Sequence, residues 1–197
     1  MNTKTLIISF SLRKNSESTR IGKYLREVWG GNSDILNLVD YNIPFWNEDF
    51  KDNTIQWESL LNPVYEKLEA ADSYIFVCPE YNGTPSPSYF NFMLFLKEES
   101  FHKPVMFVSV SAGRGGAYPI ASMKTFGNKN PNFLVIPEYI IIRDANNVLQ
   151  DKLELNHNDS FLKDKIQYSL DILEIYGKNC RDIRAQIVPN SKFKNGM

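Results

Sequence analysis

The clearest strand signal in the chain is the run Ser73-Tyr74-Ile75-Phe76-Val77-Cys78, which is apolar almost throughout and is followed by Pro79. A continuous apolar run of this length is typical of a strand covered on both faces of a parallel sheet. Similar runs at Lys4–Phe10 and Val105–Val110 alternate with longer amphipathic stretches. This alternation predicts repeated strand–helix units. The strand Ser73–Cys78 is predicted to end at Pro79.

Two weaker signals complete the predicted sheet. A short strand fits Ile35–Leu38, and either Phe133–Ile136 or Tyr139–Ile142 supplies a fifth strand, with Pro137 suggesting a break between them. Helices are predicted between the strands: a first one with Ile21, Leu25 and Val28 on one face and closed by Gly30-Gly31, others at about 56–71, 88–98 and up to 126, and a last one at about 159–178. Five strands alternating with five helices favour an α/β fold, a three-layer doubly wound parallel sheet, over a barrel of eight units.

Composition excludes several functions. The 22 Lys and Arg side chains balance 23 Asp and Glu side chains, which argues against a nucleic-acid partner. The chain has no apolar stretch of about 20 residues, so no membrane span is expected. Two cysteines and two histidines are too few for a zinc or iron–sulfur site. We predict one domain over residues 1–197 in a reducing cytoplasm, with buried cysteines and an only partly ordered tail at 180–197.

Ligands of doubly wound sheets bind at the carboxyl ends of the strands, so the loops there are the candidate site. The first loop, Ser11–Ser18, offers hydroxyls, Arg13 and a helix N-terminus, which together suit a phosphomonoester. The loop lacks the glycine patterns of dinucleotide and triphosphate sites. The alternative is that Ser16 or Ser18 only caps the helix, while Arg13 and Lys14 are solvated.

Two further loops could complete a pocket. In Pro79–Thr84 an aromatic ring at Tyr81 precedes the amide of Asn82, a pair that can cover a flat ring and bond its edge. The alternative is a tight turn at Asn82-Gly83 that needs no ligand. The glycine-rich loop Ser111–Gly116 lets backbone N–H groups approach a ring closely. Together the three loops predict a phosphorylated planar cofactor.

Four segments carry a resemblance to a known family. Pro79-Glu80-Tyr81-Asn82 matches its signature PEYN without change, and Phe10–Ser18 resembles its first loop, approximately GSxRxxSxN. Ile43–Asp49 is similar to its leucine-proline loop, and Ser111–Gly116 to its glycine-rich loop. Over residues 4 to about 127 the chain resembles the NAD(P)H-dependent FMN reductases, a flavodoxin-like family that includes quinone, chromate and azo-dye reductases.

The resemblance implies strand order 2-1-3-4-5, bound FMN, and NADPH or NADH as the electron donor. The first loop would hold the FMN phosphate, Tyr81 and Asn82 the isoalloxazine ring, and the glycine-rich loop the flavin carbonyls. The expected cofactor-binding residues are Ser11, Arg13, Ser16, Ser18, Pro79, Glu80, Tyr81, Asn82, Gly83, Ser111, Gly113, Arg114 and Gly116. Because a flavin accepts hydride itself, no catalytic side chain and no metal ligand is assigned.

The implied activity is an FMN-dependent NAD(P)H oxidoreductase that reduces flavin, quinone or similar small acceptors by hydride transfer. One alternative is a flavodoxin-type electron carrier for a protein partner, which the net charge of −1 disfavours. Another is an interaction module that has lost its cofactor, because Phe10 stands where the family has its first loop glycine. Phe90 likewise replaces a family lysine, while the following asparagine is kept as Asn91. The family also implies a homodimer or homotetramer.

Overall fold

The computed structural model describes residues 1–48, 54–150, 157–188, 190 and 192. Its strands are β1 (Thr5–Ser9), β2 (Ser33–Asn37), β3 (Ser73–Tyr81), β4 (Thr84–Pro85), β5 (Pro104–Val110) and β6 (Leu134–Ile142). Its α-helices are α1 (Glu17–Trp29), α2 (Thr54–Ala70), α3 (Pro87–Met93), α4 (Ala117–Thr125) and α5 (His157–Gln186). Short 3-10 helices lie at Leu38–Asp40, Glu98–Ser100 and Ala145–Asn147.

The sheet has the order β2-β1-β3-β5-β6, and every pair along this path is parallel. The two-residue strand β4 pairs antiparallel with β3 alone. Apart from this short strand, the order is the predicted 2-1-3-4-5, so the α/β doubly wound prediction is confirmed. The described helices include none long and apolar enough to cross a bilayer.

Each face of the sheet has its own apolar core. Ile7, Ile75 and Val108 lie on one face, where they pack under α1 and α5. Ile8 and Phe76 lie on the other face, under α2, α3 and α4. Successive side chains of a strand point to opposite faces, so the continuous apolar runs seen in the sequence feed both cores. The result is the predicted three-layer arrangement.

The prediction that β3 ends at Pro79 is wrong. The strand continues to Tyr81 and turns back through Asn82-Gly83 into β4, with Glu80 paired to Pro85. Both turn residues have positive φ, 51° and 76°, as a two-residue hairpin of type I′ requires. Pro79 is tolerated because its missing N–H would face the Phe10 carbonyl just beyond the end of β1, and that oxygen accepts a hydrogen bond from Ser86 instead.

Two other predicted boundaries change for reasons of tertiary packing. Both candidate fifth strands belong to β6, and the register shifts around Pro137, as the break there suggested. The helix predicted over 88–98 ends at Met93, because the chain leaves it to pack the ring of Phe95 on Trp57 at 5.5 Å. At the C-terminus, α5 continues to Gln186, so residues 180–186 are helical rather than part of a loose tail.

Candidate functional site

The first and third predicted loops follow β1 and β5, and the second, Pro79–Thr84, forms the β3–β4 hairpin; β1, β3 and β5 are neighbours in the sheet. The carboxyl ends of these parallel strands lie along one rim. The Ser86 hydroxyl, beyond the β3–β4 hairpin, donates to the Phe10 carbonyl at 2.9 Å. On the other side, a Cβ on Gly115 would lie only 2.8 Å from the Glu80 carboxyl carbon. The β3–β4 hairpin therefore lies between the residue that precedes the first loop and the glycine-rich loop, at one edge of the sheet.

The first loop is organised by its serines. Ser11 Oγ accepts the Arg13 N–H at 3.2 Å, and Ser16 Oγ accepts the Thr19 N–H at 3.1 Å as the N-cap of α1. The capping alternative thus holds for Ser16. Ser18 is buried in the first turn, and its hydroxyl has no hydrogen-bond partner among the described residues. The backbone N–H groups of Glu17 and Ser18 also lack an acceptor within the described part of the chain.

The same loop carries uncompensated positive charge. Arg13 and Lys14 are exposed, and neither forms an ion pair with a described residue. The N-terminus of α1 adds partial positive charge, which favours a nearby anion by about 0.3–1 kcal/mol. Backbone donors, a free guanidinium and a helix N-terminus are the donor set that a phosphate takes.

Phe10 does not obstruct this loop. Its ring is fully buried and makes edge contacts with Phe76 and Tyr89, both at a centroid distance of 5.2 Å. A further edge contact to Phe92 is 5.5 Å long. The side chain that replaces the family glycine therefore lies in the core between the sheet and α3. The argument for a lost cofactor that rested on Phe10 loses its physical basis.

The hairpin presents its side chains at the rim. Tyr81 is 38% exposed, and Asn82 is exposed beside it at the tip of the turn. A Cβ on Gly83 would lie 3.7 Å from the ring of Tyr118, at the start of α4. The tight turn that the sequence left as an alternative is therefore present, and it also holds the Tyr81 ring at the carboxyl end of the sheet.

The glycine-rich loop repeats the turn seen in the first loop. Ser111 Oγ accepts the Gly113 N–H at 3.3 Å, as Ser11 does for Arg13. Gly113 is exposed and a Cβ there would meet no atom within 4 Å. Gly116, with φ +95°, ends the loop as the N-cap residue of α4. Arg114 is exposed and has no ion-pair partner among the described residues.

A pocket of about 190 Å³ lies beside the first loop. Two of its polar side chains are already bonded: Ser88 Oγ donates to the Phe10 carbonyl, and Asn91 bonds the backbone of Pro44 and Trp46. The rest of the wall is apolar apart from the hydroxyl of Tyr41. Its lining residues are Leu12, Leu38, Tyr41, Ile43, Pro44, Phe45, Pro87, Ser88, Asn91 and Phe92. The segment Ile43–Asp49, compared above with the leucine-proline loop, forms part of this wall, although Asp49 lies outside the described residues.

The cysteines take no part in the chemistry of the rim. Both are free and buried, as expected for packing residues. Burial raises the pKa of the Cys78 thiol to about 11, although hydrogen bonds to Ser86 oppose the shift. The thiol therefore stays protonated and is a poor nucleophile.

Sequence reasoning missed three residues that bind backbone carbonyls near the rim. Arg20 donates to the carbonyls of Ala145, Val148 and Leu149 at 2.6, 3.0 and 2.7 Å. Arg143 donates through Nε to the Gly115 carbonyl at 2.9 Å. Asn91, noted in the sequence only as a retained family residue, holds the loop at Pro44. No local pattern signals such contacts, because the partners are distant in sequence.

The model of the NADPH-dependent FMN reductase family matches residues 3–147. The chain belongs to this family. An uncharacterized protein of Mycoplasma pneumoniae is 32% identical over 83 residues, which are 42% of this chain and 48% of that relative. The match thus spans about half the length of the curated relative.

Solved structures with low identity share the fold of this FMN reductase family member. A flavoenzyme NAD(P)H:(acceptor) oxidoreductase of Paracoccus denitrificans superposes with a TM-score of 0.72 at 20% identity, over 88% of this chain and 98% of that one. A flavodoxin, WrbA-like protein of Agrobacterium tumefaciens gives 0.59 at 13% identity, over 90% and 99%. The flavodoxin-like prediction is confirmed.

The family is that of the NADPH-dependent FMN reductases, and the rim has groups that fit FMN. The first loop supplies the donors for a phosphate. The open space at Gly113 allows close approach of a flat ring, whereas the space at Gly115 is filled by Glu80. The FMN phosphate would be held by Arg13, Ser18 and the first turn of α1. The ring would lie between the Tyr81 hairpin and the glycine-rich loop.

Proposed function

We propose that this chain is an FMN-dependent NAD(P)H oxidoreductase that reduces small acceptors, quinones or free flavin among them. One observation carries the proposal. An unpaired guanidinium at a helix N-terminus, an exposed aromatic hairpin and a glycine-rich turn adjoin on three neighbouring strand ends. Each suits one part of FMN: the phosphate, the ring face and the ring edge.

Bound FMN supplies the redox chemistry, because its ring accepts a hydride from a nicotinamide and passes the electrons on. The chain's part is binding and orientation. Arg13 and the first turn of α1 neutralise the phosphate, and Tyr81 and Asn82 support the ring. The loop Ser111–Gly116 donates backbone N–H groups to the ring edge, where they stabilise negative charge. No proton needs to be held by a side chain.

We infer that the preferred acceptors are uncharged and ring-shaped. The pocket next to the first loop is walled by apolar residues such as Ile43 and Phe45 and contains no charged side chain. Of its three polar side chains, those of Ser88 and Asn91 already bond the backbone, which leaves the hydroxyl of Tyr41. An oxyanion would lose its hydration there without compensation, whereas a quinone ring would bury apolar surface.

We further infer a homodimer or homotetramer acting in the cytoplasm. Leu12 and Phe45 are 62% and 76% exposed beside the pocket, and Leu94 is 58% exposed just after α3. Apolar side chains clustered in this way are typical of a surface covered by a partner, and a second copy would also enclose the pocket. Two free buried thiols suit a reducing compartment.

The test is to titrate the purified protein with FMN, following flavin fluorescence, and then to measure NADPH oxidation with a quinone. Arg13→Ala is expected to weaken FMN binding about 10- to 100-fold, the worth of a hydrogen bond to a charged group. Lys14→Ala is the matched control, because it removes a cation of the same loop without a guanidinium fork. We expect it to weaken binding only slightly.

Two results would contradict the proposal. If the wild-type protein does not bind FMN, both the proposed cofactor and the proposed activity are contradicted. Binding of FMN without NADPH oxidation would instead favour the flavodoxin-type carrier, which needs a protein partner to receive electrons.

A further inference from the structure

We propose that Arg143 is a positioning residue that fixes the Gly115–Gly116 peptide in the orientation required for the flavin, an inference that rests on the proposed function. Its Nε donates to the Gly115 carbonyl at 2.9 Å. Arg143 is exposed and forms no ion pair with a described residue. The hydrogen bond of its side chain is therefore made with the candidate cofactor loop itself.

Side chains of three strands border the Gly115–Gly116 peptide, although Gly115 itself is exposed. A Cβ on Gly115 would lie 2.8 Å from the Glu80 carboxyl carbon, so the end of the Glu80 side chain lies against this α-carbon. A Cβ on Gly116 would lie 2.5 Å from Cγ2 of Ile141 in β6 and 3.4 Å from Ser109 Oγ in β5. A glycine is needed at position 116, because φ is positive there and Ile141 leaves no room for a Cβ.

The position of Arg143 is fixed by backbone bonds on both sides of it. The Ser111 N–H donates to the Ile142 carbonyl at 2.9 Å, and the Asp144 N–H donates to the Gly113 carbonyl at 2.9 Å. Arg143 therefore lies between two bonds that tie the loop after β6 to the glycine-rich loop. Its side chain is presented to Gly115 by a rigid backbone rather than by a mobile segment.

The hydrogen bond determines where the next amide points. A trans peptide is planar, so a carbonyl turned toward Arg143 turns the Gly116 N–H the opposite way. Gly116 is the N-cap of α4 and no side chain caps this helix, so the N–H groups of Gly116, Ala117 and Tyr118 form one group of donors, while Pro119 has none. The proposed function assigns these donors to the ring edge.

The charge of Arg143 adds a second effect. A guanidinium hydrogen-bonded to the carbonyl polarises the peptide and strengthens its N–H as a donor. Negative charge develops on a flavin when it is reduced, and a nearby cation stabilises that charge. Arg143 is therefore expected to raise the reduction potential of bound FMN as well as its affinity.

The experiment compares Arg143→Met and Arg143→Lys with the wild-type protein. Arg26→Met is the control, because Arg26 is an exposed arginine in the last turn of α1, at the other end of the sheet. The readouts are the FMN dissociation constant, the midpoint potential of bound FMN, and amide exchange at Gly116 and Ala117 without FMN. Thermal melting of each variant checks that it folds.

We expect Arg143→Met to weaken FMN binding about tenfold, to shift the potential to more negative values and to speed amide exchange. Arg143→Lys, which keeps a charged donor, is expected to restore part of each. Wild-type affinity and potential in a folded Arg143→Met variant would overturn the inference but leave the proposed function standing. Failure of the wild-type protein to bind FMN would overturn both.

Discussion

The Ser86 hydroxyl donates a hydrogen bond at 2.9 Å to the Phe10 carbonyl, and Ser88 reaches the same oxygen at 2.5 Å. The Phe10 N–H bonds the Val77 carbonyl, so the parallel ladder would next bring the N–H of residue 79 to the Phe10 oxygen. That residue is Pro79, which has no N–H. The two serines after the hairpin therefore supply the donor that the strand lacks.

This replacement predicts strongly non-additive mutational effects. Ser86→Ala or Ser88→Ala alone leaves one hydroxyl on the Phe10 carbonyl and is expected to cost less than about 1 kcal/mol of unfolding free energy. The double variant leaves a buried carbonyl without a partner, which costs about 1–3 kcal/mol beyond the sum. Urea unfolding of the four proteins measures the coupling. Additive losses would contradict the shared role.

Removing the Asn91 side chain is expected to loosen the loop beside the pocket locally. Its Nδ2 donates to the Pro44 carbonyl at 2.9 Å, and its Oδ1 accepts the Trp46 N–H at 2.8 Å. Asn91→Ala removes both bonds, so amide exchange at Trp46 is expected to rise at least about tenfold. Asn147→Ala, an exposed asparagine in a different loop, is the control and should leave Trp46 unchanged. Equal protection in the Asn91 variant would show that packing alone holds the loop.

Two glycines of the loop after β5 allow folding and cofactor binding to be tested separately. Gly116→Ala forces a Cβ to within 2.5 Å of Ile141 at φ +95°, so the unfolding free energy is expected to fall by about 1–3 kcal/mol. Gly113→Ala meets open space and should change stability by less than about 0.5 kcal/mol. Its FMN affinity should nevertheless fall, because the ring has to approach this backbone. A Gly113→Ala protein with unchanged FMN affinity would move the ring away from this loop.

Lys103 makes stability depend on pH. Burial, reinforced by Arg184 and opposed by Asp72, lowers its pKa from 10.5 to about 8. Between these values the unfolded chain binds more protons than the folded one, so the contribution of Lys103 to stability increases as pH rises from 8 to 10.5. The slope from one group is at most about 1.4 kcal/mol per pH unit.

Lys103→Met removes that slope, although it also removes the bonds from Nζ to the carbonyls of Leu68 and Glu69. Urea unfolding across this pH window should therefore show the wild-type protein gaining on the variant as pH rises. Lys23→Met, at an exposed position of α1, should run parallel to the wild type. A constant difference between wild type and Lys103→Met would contradict the assignment.

The sheet could be predicted because its strands, such as Ser73–Cys78 and Val105–Val110, are apolar on both faces. The hairpin was also present in the sequence as Asn82-Gly83. The predicted strand end at Pro79 is wrong because proline ends a strand only where its N–H is needed. Whether it is needed depends on the neighbouring strand, which the local sequence does not contain.

The site was partly predictable for a similar reason. Arg13, Tyr81 and the glycine-rich loop lie where strand ends predicted them, because loop position follows from topology. Arg20 and Arg143 donate hydrogen bonds to backbone carbonyls. Every residue has a carbonyl, so the sequence does not indicate which residues these arginines bind. Arg20 reaches residues 125 to 129 positions away, and only the folded chain shows this.

Arg20 also links α1 to the segment that follows β6. It belongs to α1, which follows the first strand, and it grips the carbonyls of Ala145, Val148 and Leu149, which follow the edge strand β6. Among the described strands, β6 pairs with β5 alone and is an edge strand. Arg20 ties the segment just after β6 to α1 by three hydrogen bonds, which resist separation of this edge. We therefore expect α1 and β6 to unfold together, in one cooperative step.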